Sequence, residues 1–493
     1  MSTGTDRITP PKPAWWKWLW VGGAVVLVVA VVVAVTVVVP AINQAARTCD
    51  EGVEQRGELS ECTGVTDGRY VFSPDLAGVQ GRIRAENDAV LASGEPYVSV
   101  AVFLPMTLAK PDILSPEWVR HQLQGAYLAQ LRANAGAWGG STPRIRLLLA
   151  NPGSRLAQWE PVVAELERRI EPDRLVAVTG IGLSLDDARR AMTRLSELKI
   201  PIIGSHLAAD ELSQIPGFLR VSPTSSTYAQ SAANHIKPTA RTAMLVRDSN
   251  PGDLYPKTLA DAFTARFADN EHRIVGRTEL FDSTLPGVEN TFLQMMPNLC
   301  GNDPDVVYFA GREHHLTAFI AELANRRCLD QPITVLTGDL ALVEAPDAAM
   351  RRGLEANVTV LAPGLAHPQA WSTTPEEFSR VSVEGFRQPG CEDCFEAMFP
   401  GERLDDGVAI LAHDAVLTAV WAVRHSVANP AGQVTARDVL QVRNRLHGEL
   451  AIPGASGRIS FDDRGDPVNK AVPILRVRVD DTPEFVALAT PAG

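Results

Sequence analysis

Six cysteines, ten histidines and scattered serines and carboxylates are the groups through which this 493-residue chain could do chemistry. Cys391-Glu-Asp-Cys394 has the spacing of a redox or zinc half-site. It lacks a second such pair and does not open a helix after a strand, so a structural disulfide is the better reading. His314 and His315 are adjacent; on a helix such neighbours diverge by about 100° and share one ion poorly, so surface histidines are expected. Thr179-Gly-Ile-Gly-Leu-Ser184 carries two glycines of a dinucleotide loop but not the third, which leaves turn chemistry. No GxSxG elbow, HExxH or GxxxxGK[ST] loop occurs, and scattered Ser, His and Asp cannot specify a triad. The expectation is a protein that binds rather than catalyses, with no metal and no cofactor.

What positions these groups begins with a membrane. Leu19 to Val39 is an uncharged run rich in Val and Ala. About 21 residues at about 1.5 Å each match the thickness of a bilayer's hydrocarbon core. Trp15, Trp16, Trp18 and Trp20 stand at its near edge, with Arg7, Lys12 and Lys17 on the N-terminal side. Residues 1–18 are therefore expected in the cytoplasm, residues 19–39 as one transmembrane helix, and the bulk of the chain outside. The run is too long for a signal-peptide core, and no good small-x-small site follows Pro40. Cys49 follows Ala46, Arg47 and Thr48, which is not a lipobox.

The outer part exceeds one ordinary core, so two lobes are expected. A net charge of −12 and a pI near 5.4 argue against a nucleic-acid footprint. Arg168-Arg169 and Arg351-Arg352 are read as solvated helix faces. All six cysteines fall on the oxidising side. Proximity in sequence groups them as Cys49 with Cys62, Cys300 with Cys328, and Cys391 with Cys394.

Residues 40–96 begin polar and then carry a helix with Leu76, Val79, Ile83 and Val90 as its apolar stripe; the segment is expected to be a juxtamembrane spacer. From Tyr97 onwards strands alternate with amphipathic helices. Strands are expected over 98–104, 144–150, 175–179, 200–204, 242–247, 306–310, 333–337 and 358–361, and Ser115-Pro116 and Ser184 open helices. That alternation means parallel sheets with right-handed crossovers, an α/β architecture. Residues 364–407 break the rhythm and read as an elaborated loop region.

Four segments carry a resemblance: Gln122-Leu-Gln-Gly-Ala-Tyr-Leu-Ala129, Phe218-Leu-Arg-Val-Ser-Pro-Thr224, His413-Asp-Ala-Val416, and Gly457-Arg-Ile-Ser-Phe-Asp-Asp-Arg-Gly-Asp-Pro467. With the strand order they span about residues 97–480, and there the chain resembles the type I periplasmic binding proteins of the leucine/isoleucine/valine-binding branch. These are substrate-binding proteins of ABC transporters, and the ligand-binding regions of many receptors resemble them too. The resemblance implies two doubly wound parallel-sheet lobes joined by a three-crossing hinge, with ligand in the cleft between them. It places lobe 1 at 97–222 and 362–450, lobe 2 at 223–361 and 451–487, and a tail at 488–493.

Site residues follow from the resemblance together with local chemistry. Ser184, where a loop meets a helix, occupies a ligand-contacting serine position; its alternative is a plain N-cap, with Asp187 completing a capping-box-like pair. Ser205 and His206 end the next strand and would face the cleft. In amino-acid binders of the family a hydroxyl lies slightly further on, where this chain has Ala208. Tyr255 resembles the family's cleft tyrosine, although Pro256 replaces the usual glycine. Glu313 follows one strand of the second lobe. Asp339 follows another and matches an acidic residue that pairs with a ligand ammonium; helix cap or hinge acceptor is its alternative. Arg312 could neutralise Glu313 or grip an acidic ligand with its fork.

These readings imply a membrane-anchored extracellular protein that captures a small polar ligand, amino-acid-like, for an ABC-type permease. The second reading is a receptor or regulatory scaffold. The expected cytoplasmic tail is too short for an output domain, so such a signal would pass through a membrane or cell-wall partner.

Overall fold

A computed structural model describes residues 47–109, 112, 114–338, 348–426, 433–480 and 483–491, together with Trp15, Leu19–Val21, Val26 and Leu27. The expected cytoplasmic tail and transmembrane run thus lie outside the described residues, apart from those six positions, which are helical and exposed.

The first sheet begins with β1 (Thr48–Asp50), β2 (Val53–Arg56) and β3 (Glu61–Thr66), followed by α1 (Ala77–Ala92). Strands β4 (Tyr97–Phe103), β5 (Arg144–Asn151), β6 (Leu175–Gly180), β7 (Ile202–Gly204) and β8 (Phe218–Arg220) come next. Helices α2 (Pro116–Asn134), α3 (Trp159–Arg168) and α4 (Asp186–Glu197) connect them. The order is β1-β2-β3-β5-β4-β6-β7-β8, and β5-β4-β6-β7-β8 are parallel. A parallel sheet covered on both faces needs strands apolar on both faces. Val98, Val100 and Val102 of β4 accordingly enter one core, and Ala101 and Phe103 the other.

The second sheet follows α5 (Ser225–Ile236) and contains β9 (Thr242–Asp248), β10 (Arg273–Ile274), β11 (Glu279–Phe281), β12 (Val306–Ala310), β13 (Ile333–Thr337) and β14 (Val358–Pro363). Its helices are α6 (Leu254–Phe267), α7 (Val288–Asn302), α8 (Glu313–Leu323) and α9 (Ala348–Glu355). The chain then returns to the first lobe with α10 (Val408–His425), α11 (Ala436–Val442) and a hairpin of β15 (Ile452–Pro453) and β16 (Arg458–Ile459). It closes the second sheet with β17 (Val472–Arg476) and β18 (Glu484–Ala489), which extend β14 antiparallel. Among the described residues only α10 is long and apolar enough to cross a membrane, but 83% of that window is buried inside the protein. It is a core helix, packed against α2.

The two-lobed α/β architecture agrees with the expectation, and so do the three cysteine pairs, which are all bonded. The boundaries differ in three places. The expected spacer, 40–96, contributes β1–β3 to the first sheet and α1 to its core, where Val79 and Ile83 are buried. Its polar opening hid short edge strands whose inward residues are few. Residues 451–470, expected in lobe 2, pack on lobe 1 instead, because Ile452, Ala455, Ile459 and Phe461 join its core. The expected tail at 488 still pairs within β18, Leu488 opposite Pro473.

Candidate functional site

In each sheet one strand has its sequence neighbours leaving on opposite sides: β4 lies between β5 and β6, and β9 lies between β12 and the β10/β11 edge. At such a switch point the loops after adjacent strands part and leave a crevice at the carboxyl ends, which is where open α/β sheets bind ligands. Ser184 lies on the loop after β6, Tyr255 in the first turn of α6 after β9, and Arg312 and Glu313 at the N-cap and first residue of α8 after β12. Ser205 and Asp339 follow the neighbouring strands β7 and β13.

On the first lobe, Gly180 and Gly182 have φ of 94° and 78°. They turn the chain after β6, as turn glycines do. Ser184 is half-buried, and its hydroxyl accepts from the backbone N–H of Ala209 at 3.2 Å. It does not cap α4, whose N-cap is Leu185 with no side-chain cap bond, so the capping-box alternative with Asp187 is not formed. Ser205 is fully buried and donates to Gln122 Oε1 at 2.9 Å. His206 is buried against Trp118, with ring centroids 5.9 Å apart. Trp118 and Gln122 lie one turn apart on α2, so the N-terminal turns of that helix back this wall. Neither is a site candidate from sequence, although Gln122 opens one of the resembling segments, because a Trp and a Gln on an amphipathic helix carry no signal of what the face will meet.

The second lobe gathers its residues more tightly. Asp253 caps α6, accepting from the Tyr255 N–H at 3.1 Å. The same carboxylate takes both prongs of Arg312, from Nε at 2.7 Å and from Nη2 at 2.9 Å. The guanidinium in turn lies 4.5 Å from the centre of the Tyr255 ring. The Arg312 fork is therefore engaged by Asp253, a partner that an Asp two residues before an aromatic helix start would have suggested as an N-cap. Glu313 begins α8 and is half-buried. Asp339 lies outside the described residues. Its neighbour Gly338 shows what adjoins the end of β13: a Cβ there would come within 2.1 Å of the Tyr255 hydroxyl oxygen. Only glycine permits that approach.

Between the lobes the chain crosses near 221–225, 363–366 and 470–472, and the second and third crossings touch through Gly364 N–H to Pro473 O at 2.7 Å. Two buried polar clusters fasten the third crossing to lobe 1. Arg220, at the end of β8, pairs with Asp466 at 3.0 Å and donates to the carbonyls of Leu207 and Ala209. Asp414, wholly buried in α10, accepts from Ala455 N–H at 2.9 Å, Ser456 N–H at 2.7 Å and Ser456 Oγ at 2.5 Å, and lies 2.8 Å from His413 Nδ1. Lys470 Nζ donates to Ser456 Oγ at 2.7 Å. Burial works against the Asp414 charge, but the His413 hydrogen bond, the Lys470 charge and Ser456 outweigh it and hold its pKa low. Burial brings Lys470 down to about 8, against the pull of Asp414. Two of the segments that carried the sequence resemblance, 218–224 and 457–467, thus meet through Arg220 and Asp466 beside the third crossing.

No protein-family model matches the sequence, and no curated protein does. Solved structures match with the whole of their length. A leucine-binding protein from Thermotoga maritima is 19% identical, covers 80% of this chain with 99% of its own, and superimposes with a TM-score of 0.56. A branched-chain amino acid transporter substrate-binding protein from Streptococcus pneumoniae, in complex with isoleucine, is 14% identical over 80% of this chain and 99% of its own, with a TM-score of 0.54. A solute-binding protein of an ABC transporter from Rhodopseudomonas palustris, in complex with 3,4-dihydroxybenzoic acid, is 16% identical over 80% and 98%, with a TM-score of 0.56. The chain has the type I periplasmic binding protein fold, and the structures it resembles are substrate-binding proteins of ABC transporters.

Proposed function

We propose that this chain is a membrane-anchored extracellular solute-binding protein that captures a small polar ligand between its lobes and hands it to an ABC-type importer. What supports the reading is that each of the two sheets has its own switch point, with Ser184 following β6 of the first and the Asp253–Arg312–Tyr255 cluster following β9 and β12 of the second. Closure about a hinge would bring two such crevices onto a ligand. Ser184, Ser205, Tyr255, Arg312, Glu313 and Asp339 are the residues proposed to bind it. Similar structures in complex with isoleucine and with 3,4-dihydroxybenzoic acid make amino acids and aromatic acids the first ligands to try.

Two observations favour the second reading, a ligand-responsive receptor or scaffold acting through a membrane or cell-wall partner. Ala208 stands where amino-acid binders of the resembled family offer a hydroxyl, and the fork of Arg312 is already engaged by an internal carboxylate. A thermal-shift screen of the full-length protein against amino acids and aromatic acids tests the solute binding that the importer reading requires. A ligand at about 100 times its dissociation constant adds about 2.7 kcal/mol. Asp339→Asn should then weaken an ammonium ligand by about 10- to 150-fold, while Ser184→Ala should cost about 1 kcal/mol. No shift from any solute would sink the importer reading.

A further inference from the structure

The elaborated region after β14 is tied to lobe 1 by a cluster of ion pairs on α2. His121, in the second turn of α2, is fully buried between two carboxylates of that region: Asp406 Oδ2 lies 2.5 Å from Nδ1, and Glu402 Oε2 lies 3.0 Å from Nε2. Arg120 grips Glu402 through Nε at 2.6 Å and Nη2 at 2.9 Å, and Gln124 Nε2 donates to it at 3.2 Å. Glu117, one turn earlier, reaches to 3.9 Å of Nε2. Arg403 is paired with Asp405.

This junction touches both working parts of the fold. Trp118, three residues before His121, packs on His206 of the cleft wall. Asp406 accepts from Val408 N–H at 3.0 Å to start α10, and a Cβ on the adjacent Gly407 would lie 2.4 Å from Ala366 N, in the second hinge crossing.

We propose that His121 is a proton-operated latch that holds residues 399–407 and the second hinge crossing against α2 of lobe 1. The chemistry requires it. A neutral imidazole has one N–H and one bare lone pair, but here both ring nitrogens face carboxylate oxygens, so only the imidazolium satisfies both. With it, His121 and Arg120 together face Glu402 and Asp406 as cations, with Glu117 a third carboxylate at 3.9 Å. Without it, a lone pair faces a carboxylate in a buried site, and the segment carrying that carboxylate is pushed off. Burial alone would lower the imidazole's pKa; the hydrogen bond and charge of Asp406, then those of Glu402, overcome it and raise the value above the usual 6.5. The latch is thus closed below the ordinary imidazole range and opens as pH climbs through the raised value.

Hydrogen exchange read by mass spectrometry on the full-length protein tests this, with rates corrected for their intrinsic pH dependence. Protection of peptides spanning 399–407 and 363–368 should fall at least about tenfold as pH rises from about 6 into the alkaline range, the loss expected when one hydrogen bond to a charged group is given up. Peptides from α4 should hold steady. In His121→Gln the same peptides should exchange fast at every pH. Should that variant fail to fold, Asp406→Asn, which removes one of the two groups raising the pKa, should move the wild-type transition to lower pH. Protection independent of pH in the wild type would overturn the latch. So would loss shared equally by α4, an unchanged pH dependence in His121→Gln, or an unmoved transition in Asp406→Asn.

Discussion

Replacing Asp414 by Asn should unfasten the hinge from lobe 1. The carboxylate has four contacts on two oxygens, at 2.8 and 2.9 Å on Oδ1 and at 2.7 and 2.5 Å on Oδ2, with no exposure to water. An amide nitrogen in place of either oxygen sets a donor against a backbone N–H, and the hydrogen bonds lost were to a charged group, each worth about 1.5–3 kcal/mol. Lys470 loses its buried counter-charge in the same step, since Ser456 Oγ is its bridge to the carboxylate. Breaking a buried pair from one side costs about 3–5 kcal/mol, a large part of the roughly 5–15 kcal/mol that holds a domain together. Urea denaturation of the full-length protein should show the midpoint fall with the slope unchanged for the lobe 1 transition. Adding Lys470→Met should recover part of the loss, because the second change removes the stranded ammonium. A cost below about 1 kcal/mol for Asp414→Asn would refute the reasoning, since it would mean that the cluster is solvated.

Lys470 itself predicts a pH effect. Its folded pKa, about 8, lies below the ordinary 10.5, so the unfolded chain binds the proton more readily between those values. Stability should therefore rise with pH across that window from this group, and Lys470→Met should flatten the rise in urea midpoint. Reducing Cys300–Cys328, which closes 28 residues between α7 and the loop after α8, should cost about 3–4 kcal/mol in the chain-entropy model, measured with Cys300→Ser/Cys328→Ser in the same denaturation. Asp253→Asn keeps an N-cap acceptor but removes the charge and one acceptor from the forked pair with Arg312, so the packing of α6 against the loop after β12 should weaken by about 1–2 kcal/mol in the same denaturation.

The alternation of β-rich runs and amphipathic helices determined the fold class from sequence, because a parallel strand covered on both faces must be apolar throughout. Val306–Ala310 and Ile333–Thr337 form where that rule expects them. Cysteine proximity likewise sufficed for the three disulfides, since short loops leave few geometries. Tertiary structure alone decided which residues meet across the chain. Asp253 and Arg312 are separated by 59 positions, Arg220 and Asp466 by well over two hundred, and His121 and Asp406 by 285. No local pattern marks a carboxylate that will find its cation so far away. The same limit explains β1–β3 and the 451–470 segment: short, half-polar stretches have too weak a periodicity to declare a sheet, and only the cores of β5 and α10 beside them decide which lobe they join.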